Sequence, residues 1–252
     1  MADDVKQNIF HFPNAPIVEA MIEIKLAEPL LVDSLAALQE CSSNLSSSYP
    51  LQEELQTQQF QMQIQPGNHA SSSVEARRIG FLRRDENSHR VVQFRLDAFA
   101  FSELKPYSSW ERFFPEARKA WNFYRSAADG AATSSWTIRY INKISWPEKE
   151  RIEENLNVYP CLPNSLPAEI TNCFMRMQSK VEVPSEGLFT QQIFQIASPD
   201  PVQVSFIVDH TFQFSSVALT DTELWDRIER SRKIKNDYFK ATFTEKALER
   251  FK

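Results

Sequence analysis

The chain has 252 residues, 42% of them hydrophobic and 24% charged, which is typical of a globular protein with a sizeable core. A net charge of −5 argues against a broad basic surface for nucleic acid, and no apolar run is long enough to span a bilayer. The four glycines form no phosphate-binding loop, and the three cysteines lack metal-ligand spacing. Since the N-terminus also lacks the apolar core of a signal peptide, we expect a cytoplasmic protein with buried, reduced cysteines and no membrane contact.

The first half of the chain predicts strands and two helices. The alternation in Pro16–Leu26 predicts a strand with one apolar face. Leucines near helical spacing predict a helix over Leu30–Leu45. The segments that follow are a strand at Phe60–Ile64, a polar loop at Pro66–Glu75, and a hairpin of Ile79–Arg84 with Val91–Leu104 that turns at Asp85–Ser88.

The helix that follows is the clearest in the chain. Aromatic and alanine residues recur at i, i+3, i+4 and i+7 over Trp110–Arg125, and Ser108-x-x-Glu111 predicts a capping box at its start. Gly130 marks the break before the second half.

The second half predicts a similar order of elements. The expected segments are a strand at Trp136–Trp146, a short helix at Pro147–Leu156, strands at Cys173–Val183, Leu188–Ala197 and Val202–Ser215, and a last helix from Thr220 through Lys240. Thr220-x-x-Glu223 is a second capping-box pattern.

Residue matches between the halves indicate an internal duplication. Phe94-x-Leu96-Asp97-x-Phe99-x-Phe101-Ser102 matches Phe206-x-Val208-Asp209-x-x-Phe212-x-Phe214-Ser215, with one inserted residue that is typical of a β-bulge. The sequence therefore predicts a single α+β domain of two β-α-β-β-β-α pseudo-repeats, about 13–130 and 131–252. We expect a largely antiparallel, curved, saddle-like sheet of about eight strands with the helices on one face.

Two motifs carry a resemblance to a known family. They are Asn14-Ala15-Pro16-Ile17-Val18-Glu19-Ala20 near the start and Arg139-Tyr140-Ile141-Asn142-Lys143-Ile144 in the middle. Together, and over nearly the whole length, the chain resembles a sporadically distributed family of bacterial proteins whose function is uncharacterised. The resemblance supplies no catalytic residues, and the patchy distribution of the family implies a role in phage-defence or mobile-element systems.

Candidate chemistry in the sequence is sparse. Asp97 and Asp209 match between the halves, and His210 beside Asp209 is a candidate proton carrier. Neighbouring strand residues face opposite ways, however, so a structural role for the repeated aspartates is the alternative. The four histidines are scattered (His11, His69, His89, His210), so the sequence predicts no metal site, and it contains no cofactor motif or nucleophile elbow.

Charged residues on the first strand of each half form the main candidate binding surface. Glu19 and Glu23 correspond to Arg139 and Lys143, and cross-strand ion pairs between them are expected if the strands are neighbours. The alternatives are a mutually neutralised solvent face and a surface that recognises a polar partner. The predicted binding residues are Glu19, Glu23, Asp97, Arg139 and Lys143 on the sheet, and Arg230, Arg232 and Lys233 in the basic C-terminal stretch.

Three functional hypotheses follow from these observations. The first is a non-enzymatic protein of a bacterial defence or mobile-element system that binds a protein partner through the polar sheet face or the helical edge. The second is nucleic-acid binding by the curved sheet or the basic helix Arg227–Lys240. The third is a small-molecule or acid–base site near Glu23, Asp97 and Arg139, which requires a closed pocket. The unpaired edge strands of the predicted sheet also allow two copies of the chain to pair edge to edge as a homodimer.

Overall fold

The sheet is the organising element of the protein. In a computed structural model, residues 12–65, 69–163, 172–182, 185–217 and 219–252 are described. The described strands are β1 (Ile17–Leu26), β2 (Leu51–Gln65), β3 (His69–Arg84), β4 (Arg90–Arg95), β5 (Ala98–Leu104), β6 (Thr133–Pro147), β7 (Phe174–Val181), β8 (Gly187–Ile196) and β9 (Gln203–Ser215). They form one antiparallel sheet in the order β2-β3-β4-β5-β1-β6-β9-β8-β7, which confirms the α+β class with an open antiparallel sheet.

Four α-helices accompany the sheet in the described part of the chain. They are α1 (Leu35–Ser43), α2 (Trp110–Ala127), α3 (Asp221–Thr242) and α4 (Glu245–Glu249). The capping box at Thr220 and Glu223 forms as predicted at the start of α3. The one predicted at Ser108 does not form, because Ser109 is the N-cap of α2 and the Ser108 hydroxyl donates instead to Glu103 Oε2 at 3.1 Å.

The helices all pack on one face of the sheet. Alternate β1 residues Ala20, Ile22 and Ile24 are buried in one core cluster with Trp121 of α2 and Ile228 of α3. Leu38 of α1 belongs to the same cluster. Ala247 of α4 packs in a second cluster with Ile144, Trp146 and Phe206, which share that face of β6 and β9. Within the described residues, the opposite face carries no helix; we call it the open face.

The predicted central strand lies where the two halves of the chain meet. β6 pairs with β1 on one side and with β9 on the other. The segment Trp136–Trp146 is therefore a central strand, as predicted, and the buried rings of Trp136 and Phe214 stack on it with centroids 4.3 Å apart.

The internal duplication stays a prediction, because its residue matches require different registers. A duplication that equates Glu19 and Glu23 of β1 with Arg139 and Lys143 of β6 makes Asn142 the counterpart of Ile22. Phe101 lies opposite Ile22, however, and Phe214 lies opposite Trp136. Matching Phe101 with Phe214 therefore aligns Ile22 with Trp136 instead.

Several predicted boundaries are wrong. The expected strand Val91–Leu104 is two strands, β4 and β5, which pair with each other around a turn at Leu96 and Asp97. The helix expected over Pro147–Leu156 is only a 3-10 turn at Ile152–Glu154, since β6 continues through Pro147. The loop expected at Pro66–Glu75 belongs to β3 from His69 onward, because a long hairpin partner, β2, pairs with that polar segment; residues 66–68 lie outside the described residues.

One glycine is required by the close approach of two strands. A Cβ on Gly80 would lie 2.1 Å from the Phe94 carbonyl oxygen and 2.7 Å from Arg95 Cα, both backbone atoms of β4. We expect Gly80→Ala to lower the free energy of unfolding by about 1–3 kcal/mol in urea denaturation, because β3 and β4 must separate. Gly130→Ala is the control, since its positive φ strains alanine but no neighbouring atom lies within 4 Å. Gly80→Ala with an unchanged midpoint would contradict this packing.

Candidate functional site

A cavity of about 650 Å³ lies on the helix-covered side of the sheet, between the start of α2 and the second half of α3. Its sheet side is formed by Tyr140 and Asn142 of β6 and by His210 of β9. A volume of this size accommodates a small organic ligand. This cavity is the candidate functional site.

The alternation of β6 decides which side chains reach the cavity. Successive strand residues point to opposite faces, so Tyr140 and Asn142 face the helices whereas Arg139 and Lys143 face away. The motif Arg139–Ile144 is thus divided between two surfaces. The part that lines the cavity is not the part on which the predicted binding surface depends.

The N-terminal motif lines the same cavity. Asn14, Ala15 and Ile17 contribute to its wall, and Ile17 lies opposite Asn142 in the β1–β6 pair. The segment is held by backbone hydrogen bonds from Asn14 N–H to the Phe251 carbonyl at 3.0 Å and from Lys143 N–H to the Pro16 carbonyl at 2.9 Å. The two motifs that carry the family resemblance therefore meet at one place in the fold.

Aromatic side chains give the cavity an apolar wall. Those that line it, besides Tyr140, are Phe12, Tyr107, Trp110 and Phe239. The Phe12 and Phe239 rings lie 5.8 Å apart, and the Tyr107 ring meets the Tyr140 ring edge-on at 6.0 Å. A planar apolar ligand group can pack against such rings.

Two polar contacts join α2 to α3 beside the cavity. The Trp110 indole Nε1–H donates to Glu229 Oε2 at 2.8 Å. Arg232 forms an ion pair with Glu111. These contacts fix the first turn of α2 against α3, and this fixes the width of the cavity.

The charges on the cavity wall are unbalanced. Four cationic side chains line it, namely Lys105, Arg232, Lys235 and Lys240, against the single carboxylate of Glu111. Arg232 already engages that carboxylate. Lys240 has an interaction partner of its own, so the excess of positive charge at the cavity comes from Lys105 and Lys235, although the whole chain has a net charge of −5.

Lys235 is the least expected of these cations. It falls on the buried stripe of α3, in helical spacing with Ile228, Ser231 and Thr242. Its Nζ lies 4.4 Å from the centroid of the Tyr140 ring, and it forms no ion pair with any carboxylate among the described residues. Burial, and then the charge of Arg232, lower the pKa of Lys235 to about 7, although Glu111 partly opposes the shift.

His210 is held neutral by its surroundings. It is buried, and burial together with the charge of Lys235 lowers its pKa to about 3. The Gln191 amide Nε2 lies 3.0 Å from His210 Nε2 and also donates to Thr242 Oγ1 at 2.9 Å, while Thr242 donates to the Tyr238 carbonyl at 2.8 Å. An amide nitrogen only donates, so His210 Nε2 accepts and Nδ1 carries the proton.

Asn142 has a free hydrogen-bond acceptor at the cavity. Its Nδ2 donates to the Val208 carbonyl at 3.1 Å, but its buried Oδ1 has no hydrogen-bond partner among the described residues. A buried polar atom of this kind is rare and costly unless a ligand or water satisfies it.

The predicted sheet residues lie on the open face instead. Glu23 accepts from Arg95 Nη2 at 2.9 Å, and Arg95 Nε donates to Asp97 Oδ1 at 3.0 Å. Arg139 donates to the buried carboxylate of Asp209 through Nε and Nη2, at 3.0 and 2.6 Å to Oδ2. None of the predicted sheet residues lines the cavity.

Among the described residues no salt bridge joins Glu19 or Glu23 to Arg139 or Lys143, although β1 and β6 are neighbours; the pKa of Arg139 is raised mainly by its hydrogen bonds to Asp209 and to a smaller extent by the charge of Glu19. The register places Met21 opposite Arg139, and Arg139 turns to Asp209 on the other neighbouring strand. Lys143 is exposed and forms no ion pair within the described part of the chain. The charged residues of the open face thus pair along it in two separate groups.

The predicted residues of α3 have different surroundings. Arg232 lines the cavity, whereas Arg230 is exposed and Lys233 is exposed and pairs with Asp237 at 2.7 Å. Only Arg232 of the predicted binding set belongs to the cavity. The residues that the sequence interpretation missed are Lys105, Tyr140, Asn142 and Lys235, and the one available signal was a lysine on an apolar helix stripe.

The other candidate groups do not form a catalytic cluster. Asp209 and His210 lie on opposite faces of β9, as strand alternation predicts, and Asp97 lies in an exposed turn whereas Asp209 is buried. The predicted core packing of the cysteines is wrong for Cys161, which is exposed, whereas Cys41 and Cys173 are partly buried and pack against the two core clusters. Among the described residues, no group of three or more His, Cys, Asp or Glu could hold a metal ion. His11 lies outside the described residues, and nothing is described of the His69 side chain.

Comparison with known proteins adds no identification. No family model matches the chain, and no curated protein matches it either. Among the described helices, none is both long and apolar enough to cross a membrane.

Proposed function

We propose that this protein binds an anionic small molecule in the cavity between α2 and α3. The observation that carries the proposal is the amine of Lys235 on the cavity wall, which forms no ion pair among the described residues and lies beside Arg232, the residue that already occupies the lining carboxylate of Glu111. A cation is rarely retained in a partly buried position without a counter-charge. We infer that the ligand supplies the counter-charge to Lys235.

The neutral polar groups of the cavity further restrict the chemical class of the ligand. Asn142 Oδ1 requires a hydrogen-bond donor, and His210 Nδ1–H can donate a hydrogen bond to an acceptor on the ligand. The aromatic wall favours a flat, apolar part. The ligand that fits these groups is an aromatic or heterocyclic compound with a phosphate, sulfonate or carboxylate and a hydrogen-bonding edge.

A matched pair of dyes tests this proposal. Anilinonaphthalene sulfonate carries an aromatic body and one negative charge, and N-phenyl-1-naphthylamine has the same rings without the charge. By fluorescence titration we expect the sulfonate to bind the folded protein and Lys235→Met to weaken that binding by about ten- to hundredfold, because a charge-assisted contact of 1.5–3 kcal/mol is lost. Binding of the neutral dye should be unchanged in the variant.

Lys233→Met is the matched control for that titration. Lys233 lies on the same helix, is exposed and pairs with Asp237, so its loss removes one charge without touching the cavity. Equal weakening by Lys233→Met and Lys235→Met would mean that only the general charge of α3 attracts the dye. Equal binding of both dyes to the wild-type protein would also overturn the proposal.

Recognition of a protein partner by the open face is a second candidate function. The feature that favours it is the half-exposed Arg139, held in place by the buried carboxylate of Asp209, beside the exposed Lys143. In this hypothesis the partner belongs to a cytoplasmic defence or mobile-element system, and the edge strands β2 and β7 are available for a homodimer. Nucleic-acid binding by α3 has less support, because Arg232 and Lys233 are already paired with carboxylates.

A further inference from the structure

The amine of Lys235 has the surroundings of a nucleophile. It reaches the cavity from the buried stripe of α3, against the Tyr140 ring, and no carboxylate of the described residues holds its charge. Lysines that react with carbonyl groups are those placed in apolar pockets or beside a second cation, since both conditions favour the neutral amine. Lys235 meets both conditions.

We propose that Lys235 forms an imine with a ligand that carries an aldehyde or ketone near an anionic group. This inference rests on the proposed anion site and names the reactive group of its ligand. Arg232 lies one helical turn before Lys235, and Lys105 lines the same cavity. A ligand anion held by these cations brings its carbonyl carbon beside Lys235 Nζ.

The charged and titratable groups around Lys235 come from every element that borders the cavity. They are Arg232 and Lys240 on α3, Glu111 on α2, Lys105 and Tyr107 on the segment before α2, Tyr140 on β6 and His210 on β9. Glu111 is engaged by Arg232, His210 is neutral, and burial raises the pKa of both tyrosines. Burial lowers the pKa of Lys235 to about 7, and the charge of Arg232 adds to this shift whereas the charge of Glu111 opposes it. A substantial fraction of Lys235 therefore has a free lone pair at neutral pH.

The reaction requires no oxidant or reductant. The Nζ lone pair of the neutral amine attacks the carbonyl carbon, and the π electrons of the C=O bond move to oxygen, which takes a proton to give a carbinolamine. Loss of the second amine proton and of the hydroxyl as water then gives the C=N bond. Asn142 Oδ1, which has no hydrogen-bond partner among the described residues, can accept the hydrogen bond of the carbinolamine hydroxyl.

Reductive trapping tests the inference on the full chain. Pyridoxal 5′-phosphate is the probe, because it combines an aldehyde, an aromatic ring and a phosphate. After incubation at pH 7.5 and reduction with sodium borohydride, peptide mass spectrometry locates the adducts. We expect the adduct on Lys235 to exceed that on Lys233 by about tenfold or more, because the Lys233 amine is exposed, lies outside the cavity and is ion-paired with Asp237.

Two comparisons separate the site from general lysine reactivity. Pyridoxal without the phosphate should label Lys235 less than the phosphate form does, since the cavity cations no longer hold it. Protein unfolded in urea should lose the preference for Lys235. A preference that survives unfolding would overturn the inference.

The outcomes also distinguish this inference from the proposed function. If the adducts spread evenly over the lysines while the sulfonate dye still binds in a Lys235-dependent way, the imine is wrong and the anion site stands. If the dye does not bind and Lys235 is not labelled, both are wrong. Preferential labelling of Lys235 in the folded wild-type protein and in Lys233→Met supports both.

Discussion

Replacement of Lys235 by methionine is expected to stabilise the free protein at pH 6. Methionine retains the length and apolar stem of lysine but removes a cation that has no carboxylate partner among the described residues. The pKa of Lys235 is lowered from 10.5 to about 7, and each pKa unit corresponds to about 1.4 kcal/mol. We expect Lys235→Met to raise the free energy of unfolding at pH 6 by on the order of 3 kcal/mol.

The stability gained by Lys235→Met should decrease as the pH rises above 7. Below pH 7 Lys235 is protonated in both states, so the folded protein bears the full cost of the buried charge. Between about pH 7 and 9 the folded protein releases this proton whereas the unfolded chain retains it, so the stability of the wild type rises by about 1.4 kcal/mol per pH unit from this group. The other titratable groups are the same in both proteins, so their contributions cancel when the free energy of unfolding of the wild type is subtracted from that of the variant.

Urea denaturation of both proteins at several pH values measures this difference. Lys233→Met, which removes an exposed charge paired with Asp237, should change the stability by less than about 1 kcal/mol at each pH. A Lys235→Met variant that is less stable than the wild type at pH 6, or a difference that is independent of pH, would show that the Lys235 charge is satisfied in the free protein.

Replacement of Arg139 by methionine is expected to have the opposite effect. Asp209 is 3% exposed, and Arg139 supplies most of its hydrogen bonds; among the other described side chains, Thr211 Oγ1 donates to it at 3.2 Å. Removal of Arg139 leaves a buried carboxylate without its counter-charge. Since Arg139 itself is half-exposed, we expect a loss of about 2–3 kcal/mol in the free energy of unfolding at pH 7.

A double-mutant cycle with Asp209→Asn isolates this pair. The neutral amide requires no counter-charge, so Arg139→Met should cost much less in the Asp209→Asn background than in the wild type. Additive effects of the two substitutions would contradict a coupled pair. Dye binding in the cavity serves as the control, because Arg139 lies on the opposite face of the sheet and its loss should leave the dye affinity unchanged in the folded protein.

Strand and helix positions were largely predictable because they depend on local periodicity. The alternation in Pro16–Leu26 and Trp136–Trp146 predicted two strands, which the structure shows to be neighbours, and the spacing of Trp110, Phe113 and Trp121 predicted α2. Boundaries failed where tertiary pairing decided them. The turn at Leu96 is one such place, since the backbone of Leu96 bonds to Ile79 of β3 across a strand pair that the sequence alone does not fix.

The candidate site was much less predictable. The binding surface was predicted on the open face because charged residues alternate with apolar residues along β1 and β6. The cavity depends on the approach of α2 to α3, which a contact between residues as distant in sequence as Trp110 and Glu229 maintains. Lys235 stands in a run of charges that is typical of a solvated helix face, and only its phase relative to the buried Ile228 and Thr242 indicates that it is partly buried.

A crystal structure of the wild-type protein with bound anilinonaphthalene sulfonate tests the central claim most directly. We expect the sulfonate within hydrogen-bond distance of Lys235 Nζ, and the rings against the aromatic wall formed by Tyr107, Trp110 and Phe239. Dye bound on the open face, or against the exposed Phe174 of β7, with none in the cavity between α2 and α3, would contradict the claim.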